Sequence, residues 1–378
     1  MATTPTPSDL QEIKYRRQYW QEYVRMSGFK PYMGSGVENG PSSIIHVCYE
    51  LTTSGKSLTI PLVSRLRAAG VEGNSRLSGS EETLGKHSHS IAIQFTRNAV
   101  ELSKQDEHFD ASNARDAARP LLKEWSASRL RDRIIDALGS TAFSGTQNKT
   151  FWTPLDSARN IVSDATANNT WVQANSNRVL FGALVANYSS TFATATATID
   201  NTADKFTRAM LGVMKRIAKT TDPHIRPIRV DEENGREYFV AFAGTLTFRD
   251  FKNDSTVISN LRDARAREGD GWSRNPLFQD GDLMEDGVII REIPEIPVFS
   301  NATINISPIF LCGCQAAAVA WGQEPKFTMK KDDDYEFFTG IGIEECIGAN
   351  KVMRKDGQLS TFIDNGMVTG FAAAVGDA

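Results

Sequence analysis

The segment 57–103 sets the tightest limit on what this chain can fold into. SLTIPLV (57–63) is an apolar run, a polar and glycine-rich span follows (AAGVEGNSRLSGSEETLGKHS, 68–88), and a second apolar run, SIAIQFTRNAVELS (90–103), closes it. In that second run Ile91, Ile93 and Phe95 share one face at period two, the pattern of a half-buried strand. Val100 and Leu102 fall on the other parity, which predicts a bulge or bend near Asn98. Two strands so far apart make a long projecting hairpin. Inside a compact domain, a loop of that length is usually functional or disordered.

The rest of the chain has to supply a core for such an excursion, and at 378 residues it is long enough for two or three domains or one large fold. With 40% apolar and 23% charged residues it reads as globular. A formal net charge of −4 argues against gripping nucleic acid through overall charge and leaves only a local basic run, Lys14 to Arg17, able to face it. The N-terminus carries no apolar signal region and no window approaches a membrane-spanning length, so intracellular synthesis and no membrane partner are expected. Cys48, Cys312, Cys314 and Cys346 are too few and too scattered for a disulfide scaffold.

Ser8 reads as a helix N-cap with Gln11 as its capping-box partner. Leu10, Ile13, Arg17, Trp20 and Val24 then form a narrow seam, too thin to bury itself in a private core. Such a helix lies against a neighbouring subunit or another part of the same structure, or stays an ordinary surface helix. A long helix is predicted over 112–138, apolar at Ala114, Ala118, Leu121, Leu122, Trp125, Ile134, Ile135 and Leu138 and stopped by Gly139. Pro120 should kink it or mark where its second part starts, and the rod would be roughly 40 Å long. Residues 142–200 read as loops and short strands, with NRVLFG (177–182) buried. A second helix is predicted over 202–219, lined by Phe206, Met210, Val213 and Ile217. IRPIRV and REYFVAF are strands joined by DEENG, and a charged helix is expected near 253–268. GVIIRE, the run NISPIFLCGCQAAAVAWG and the C-terminal third should supply further strands and one alanine-rich buried helix, giving a mixed α+β chain without internal repeats.

Catalytic chemistry finds little support. Asp280, Asp282, Glu285 and Asp286 are crowded before an apolar run, yet Met284 stands where a calcium loop needs its third ligand, and Asp-Gly steps at a strand mouth are turn chemistry. His87 and His89 share a strand face but two ligands do not make a metal site, so packing or solvent-facing histidines are expected. Cys312 and Cys314 lie in an apolar run without a second pair. No phosphate-binding, dinucleotide or nucleophile-elbow motif occurs, and SGSEE (78–82) sits in a polar loop. YRRQYWQEYVRM mixes arginines with aromatics, but at helical spacing that stripe more often packs than stacks on bases. No catalytic, cofactor or metal residue is assigned.

In order along nearly the whole chain, IPLVSRLRAAGVEGNSRLSGSEETL (60–84), FTRNAVELSKQDEHFDASNARDAA (95–118), NRVLFG, IRPIRV, REYFVAF, NPLFQDGDLMEDGVIIRE, FLCGCQAAAVAWG (310–322) and IGIEECIGANKVM (341–353) resemble tailed-bacteriophage major capsid proteins of the Hong Kong 97-type fold, in the podovirus-like branch that lacks a fused scaffold domain. Their number and order carry the resemblance. AGTLTF (243–248) stands where relatives have a His-Pro step, and DLMEDGV replaces a more neutral turn; both look like loop changes.

The resemblance implies an α+β capsid fold with an N-terminal arm (1–57), an extended loop (58–105), a peripheral domain (106–179 and 331–378) carrying the spine helix 112–138, and an axial domain (180–330). It implies self-assembly into hexamers and pentamers of an icosahedral head in the virion, made in the host bacterial cytoplasm. Scaffolding, portal and decoration proteins are the expected partners, with double-stranded DNA packaged without sequence-specific binding. Glu81, Glu82, Lys86 and Arg97 on the hairpin, with Arg17 and Trp20 on the arm, are the candidate inter-subunit contacts; solvated loop charge is the competing role for Glu81 and Glu82. A nanocompartment shell of the same fold is the first alternative. A metal-dependent enzyme using the acids near 280 or the His87/His89 pair is the second.

Overall fold

Apolar strands covered on both faces organise the computed structural model, which describes residues 28–35, 43–109, 114–144, 147–152, 165–231, 235–260, 282–300, 304–333, 337–355 and 362–377. The helix expected over 8–24, with Arg17 and Trp20, and Asp280 of the acidic cluster lie outside them. Two compact units divide the described chain: 95–129 with 323–346, and the larger 28–94, 130–322 and 347–377.

In chain order, β1 (Met33–Gly34) and β2 (Ile45–Cys48) precede β3 (Ser57–Val63), β4 (Lys86–Ala92) and β5 (Gln94–Ser103). Helix α1 (Lys104–Phe109) leads to α2 (Ala114–Leu138), the strands β6 (Ser140–Ser144) and β7 (Gln147–Thr150), α3 (Ala165–Ala174) and β8 (Val179–Phe181). Then come α4 (Phe192–Ala197), α5 (Arg208–Thr220), β9 (Ile228–Asp231), β10 (Arg236–Ala243) and α6 (Thr245–Lys252). From residue 282 on, the described elements are strands: β11 (Asp282–Glu285), β12 (Val288–Glu292), β13 (Phe299–Ser300), β14 (Asn305–Cys312), β15 (Ala317–Asp333), β16 (Phe338–Lys351), β17 (Met353–Lys355), β18 (Phe362–Asp364) and β19 (Met367–Ala373).

The larger unit is built on a mixed sheet ordered β11-β12-β10-β14-β19-β8, with β13 added to β14 and β9 to β10. Its central strands read as continuous apolar runs because both faces are covered. Along β14, Ile306, Phe310 and Cys312 enter one core with Phe181, Phe242 and Phe371. Ile309 and Leu311 enter the opposite core, where Met210, Leu211 and Met214 of α5 and Phe248 and Phe251 of α6 cover the sheet. In the smaller unit, Ala118, Leu122 and Trp125 of α2 pack on Ile341 and Ile343 of β16.

Helix α2 follows the expected span, residues 112 and 113 being undescribed, and Pro120 lies inside one continuous helix. At its end Gly139 leaves room for an indole: a Cβ there would stand 1.9 Å from the Trp152 ring. The β9–β10 hairpin and β12 stand where REYFVAF and GVIIRE predicted strands.

Several expectations are corrected. The second apolar run breaks at Ile93, not near Asn98: β4 pairs with β3, while β5 joins the sheet ordered β1-β2-β15-β16-β5. The alanine-rich run is a strand, because Ala317–Ala320 pair in parallel with Ile45–Cys48 and small side chains suit a strand buried on both sides. Helix α5 starts later than expected: Thr207 is extended and its hydroxyl accepts from the Met210 amide. Phe206 therefore precedes the helix, and the buried stripe is Met210, Leu211, Met214 and Ala218, with Val213 and Ile217 half-buried beside it. Residues 142–200 contain α3 and α4, whose Ala/Thr/Asn-rich sequences hide their periodicity. AGTLTF is no loop, since α6 starts at Thr245 to bury Phe248 and Phe251; helix reappears at 255–260, and the rest of the charged span is undescribed.

Candidate functional site

The hairpin β3–β4 is a regular antiparallel ladder from Ser57↔Ala92 to Val63↔Lys86. Cross-strand pairs Leu58/Ile91, Ile60/His89 and Leu62/His87 form one face. That face meets a cluster of Cys48, Leu51, Ala318, Ala320 and Val352. Ser57, Thr59, Pro61 and Val63 on the other face of β3 are exposed. His89 is a packing histidine, 3% exposed, and burial pushes its pKa down to about 4. His87 is half-buried and its Nε2 lies 3.0 Å from Ser64 Oγ. The pair is therefore spent on packing and a local hydrogen bond. Among the described residues no group of three or more His, Cys, Asp or Glu is placed to hold a metal.

Beyond the ladder the loop organises itself through Glu82, one of the candidate contact residues. The Ser64 amide donates to Gly85 O at 2.8 Å, and the Glu82 carboxylate accepts from the amides of Arg67 (2.6 Å) and Ala68 (2.7 Å). These bonds, Ala68 first and then Arg67, hold the Glu82 carboxyl below the usual range. Glu81 accepts from the Gly79 amide at 2.7 Å. Both acids remain exposed while tied within their own loop, and Lys86 is exposed at the start of β4. Arg97 is exposed on β5 and belongs to the smaller unit. Arg65 and Arg67 share Asp222, at 3.3 and 2.7 Å. Around these polar ties the loop leaves Val63, Leu66, Leu77 and Leu84 bare, at 63%, 63%, 61% and 45% exposure.

Of the described acids near 280, Asp282 and Glu285 lie on the strand β11, where a loop is expected for DLMEDGV, and Asp286 stands in the turn that follows. Asp286 and Gly287 take positive φ (49° and 69°) between β11 and β12, the two-residue turn that suits the twist of a hairpin. Glu285 accepts from Arg208 Nε (2.7 Å) and Asn260 Nδ2 (2.8 Å), and Asp286 pairs with Lys215 at 3.1 Å. These carboxylates are neutralised in place.

Sequence reasoning missed a buried ion pair. Lys351 Nζ lies 2.9 Å from Asp364 Oδ2 with both side chains essentially inaccessible (0% and 2%). Trp171 Nε1 donates to the same oxygen at 3.2 Å, and Asn175 Oδ1 accepts from the Asp364 amide at 2.8 Å. Burial pushes the Lys351 pKa down and the neighbouring Cys312 thiol up. No sequence signal links positions 171, 175, 351 and 364. All four cysteines are free and buried.

The described residues thus combine a two-sided core, a hairpin docked along one face and a loop with bare aliphatic residues. The profile of the phage capsid protein family matches residues 3–375. Among solved structures, a chain of the cyanophage Pam1 capsid is similar with a TM-score of 0.85 and 33% identity, all of both chains being covered. The capsid of Ralstonia phage GP4 (TM-score 0.72, 20% identity, all of both chains) and the acid-stable capsid of Helicobacter pylori bacteriophage KHP30 (0.68, 14%, 97% of each chain) share the fold. A comparison with curated proteins finds no match. The chain belongs to the phage capsid protein family. It is a structural, non-enzymatic major capsid protein that self-associates in the lattice of the virion capsid.

Proposed function

We propose that this chain assembles into hexamers and pentamers of an icosahedral head that encloses double-stranded DNA, with 58–105 as the extended loop that overlaps the next subunit. The observation that carries the reading is the end-to-end similarity to the Pam1 capsid chain at 33% identity. Residues 1–57 serve as the arm, 106–179 with 331–378 as the peripheral domain and 180–330 as the axial domain. Val63, Leu66, Leu77 and Leu84 support the role of the loop: side chains left bare on one copy are covered when copies close into rings. Glu81, Glu82, Lys86 and Arg97, with Arg17 and Trp20 of the arm, are the polar and aromatic contacts of that overlap. A net charge of −4 suits a container whose DNA has to enter and leave without tight, sequence-specific binding. Synthesis and assembly take place in the host bacterial cytoplasm, with scaffolding, portal and decoration proteins as partners. Negative-stain electron microscopy of the purified protein after size exclusion tests the reading. Closed particles or five- and six-membered rings are expected; a compact monomer at high concentration, with scaffold protein supplied, would overturn it.

A further inference from the structure

Asp222 pairs with Arg65 and Arg67 of the loop between β3 and β4, and both halves of the contact lie in the larger unit. The segment around Asp222 is fixed from several directions. Arg178, 1% exposed, donates to the carbonyls of Pro223 (2.6 Å) and Asn365 (3.1 Å). The Ile225 amide donates to Ala218 O at 3.1 Å and the Cys314 amide to Arg226 O at 2.8 Å. Asp222 is thus presented from a segment tied to the core by several hydrogen bonds. On the loop, Glu82 holds the backbone of Arg67 and Ala68, the stretch from which the Arg67 side chain reaches Asp222. One carboxylate oxygen then serves each arginine: Oδ2 to Arg67 and Oδ1 to Arg65. Leu66, between the two arginines, is bare.

We propose that Asp222 latches the loop onto its own subunit before assembly, so that opening of the latch favours engagement of the loop by a neighbouring copy. This rests on the shell reading above. The three side chains are 55%, 56% and 42% exposed, so salt screens the contact and it biases the loop roughly three- to tenfold rather than locking it. A bias of that size suits a subunit that stays unassembled until others are abundant, since covering the bare aliphatic side chains then outweighs it.

The test uses the full chain, isolated unassembled by size exclusion. Amide hydrogen exchange over 64–85 and the assembly rate by light scattering are compared for wild type and Asp222→Asn at low and high ionic strength. The expected result is a three- to tenfold rise in both for the variant at low salt, closing at high salt. The double variant Arg65→Gln/Arg67→Gln, altered on the loop alone, should free the loop equally and covers the case in which Asp222→Asn fails to fold. Unchanged exchange overturns the latch. So does faster exchange without faster assembly, because the loop is then free and assembly is restrained elsewhere. Wild-type particles alongside either of those results leave the shell reading intact, whereas a wild type that never forms particles even with scaffold protein supplied removes the shell reading itself.

Discussion

His89 gives a pH dependence whose sign and size follow from its place. It stands on the buried face of β4, opposite Ile60 and beside a cluster formed by Cys48, Leu51, Ile91, Ala318, Ala320 and Val352. Burial lowers its pKa from 6.5 to about 4, so it is neutral in the folded hairpin at pH 6. The unfolded chain takes up the proton below pH 6.5 and the folded chain does not until about pH 4. Stability present above pH 6.5 is therefore lost progressively on acidification, and the loss levels off below about pH 4. At about 1.4 kcal/mol per pH unit across that window, the full effect is about 3 kcal/mol. His89→Leu keeps an apolar side chain at the site and removes the titration. Urea unfolding of the unassembled chain between pH 7 and 4 should show wild type losing about 3 kcal/mol more than the variant. Parallel curves for the two proteins, or an imidazole titrating near 6.5 in the folded chain by NMR, would refute the argument.

Three further outcomes are expected. Lys351→Met strands the Asp364 carboxylate in the core and should cost about 3–5 kcal/mol by denaturant melt, whereas pairing it with Asp364→Leu should recover much of that loss. Gly139→Ala drives a methyl into the Trp152 ring and should cost about 1–3 kcal/mol, read as a lower melting temperature, with the neighbouring Ser140→Ala as a milder control. Serine at Leu66, Leu77 and Leu84 together should leave the melt of the unassembled chain within about 0.5 kcal/mol of wild type while reducing particle yield by electron microscopy.

How much could be read beforehand depended on where the burial energy comes from. The α2 helix, the β9–β10 hairpin and the ladder of β3 with β4 are local patterns, and their periodicity or turn chemistry stands in the sequence itself. The Ala317–Ala320 strand is different: alanine favours helix locally, and only the parallel partner Ile45–Cys48, far away in the chain, makes it a strand. The Ile93 break has the same origin, since β4 and β5 are claimed by different sheets and no residue between them announces it. At the site, the Asp286–Gly287 turn was legible from its residue types. The Glu82 grip on two amides was not, nor was the Lys351–Asp364 pair, because each joins positions that only the finished fold brings together.

The same physics accounts for a stable subunit that nevertheless bares aliphatic side chains. Both faces of the central sheet are covered within the chain, so the core does not need a partner. The hairpin, by contrast, is anchored along the Leu58–Ile60–Leu62 face and through the exposed Arg65 and Arg67 contacts with Asp222, and its loop keeps its shape through carboxylate-to-amide bonds that leave Leu66, Leu77 and Leu84 free to be buried elsewhere. In the assembly proposed above, a loop held by polar bonds rather than by its own apolar contacts has a defined shape before it meets a neighbour, and so loses less entropy on docking. Each docking can then stay weak and reversible while subunits correct their positions. Closure of many such contacts around one shell makes the finished assembly strong.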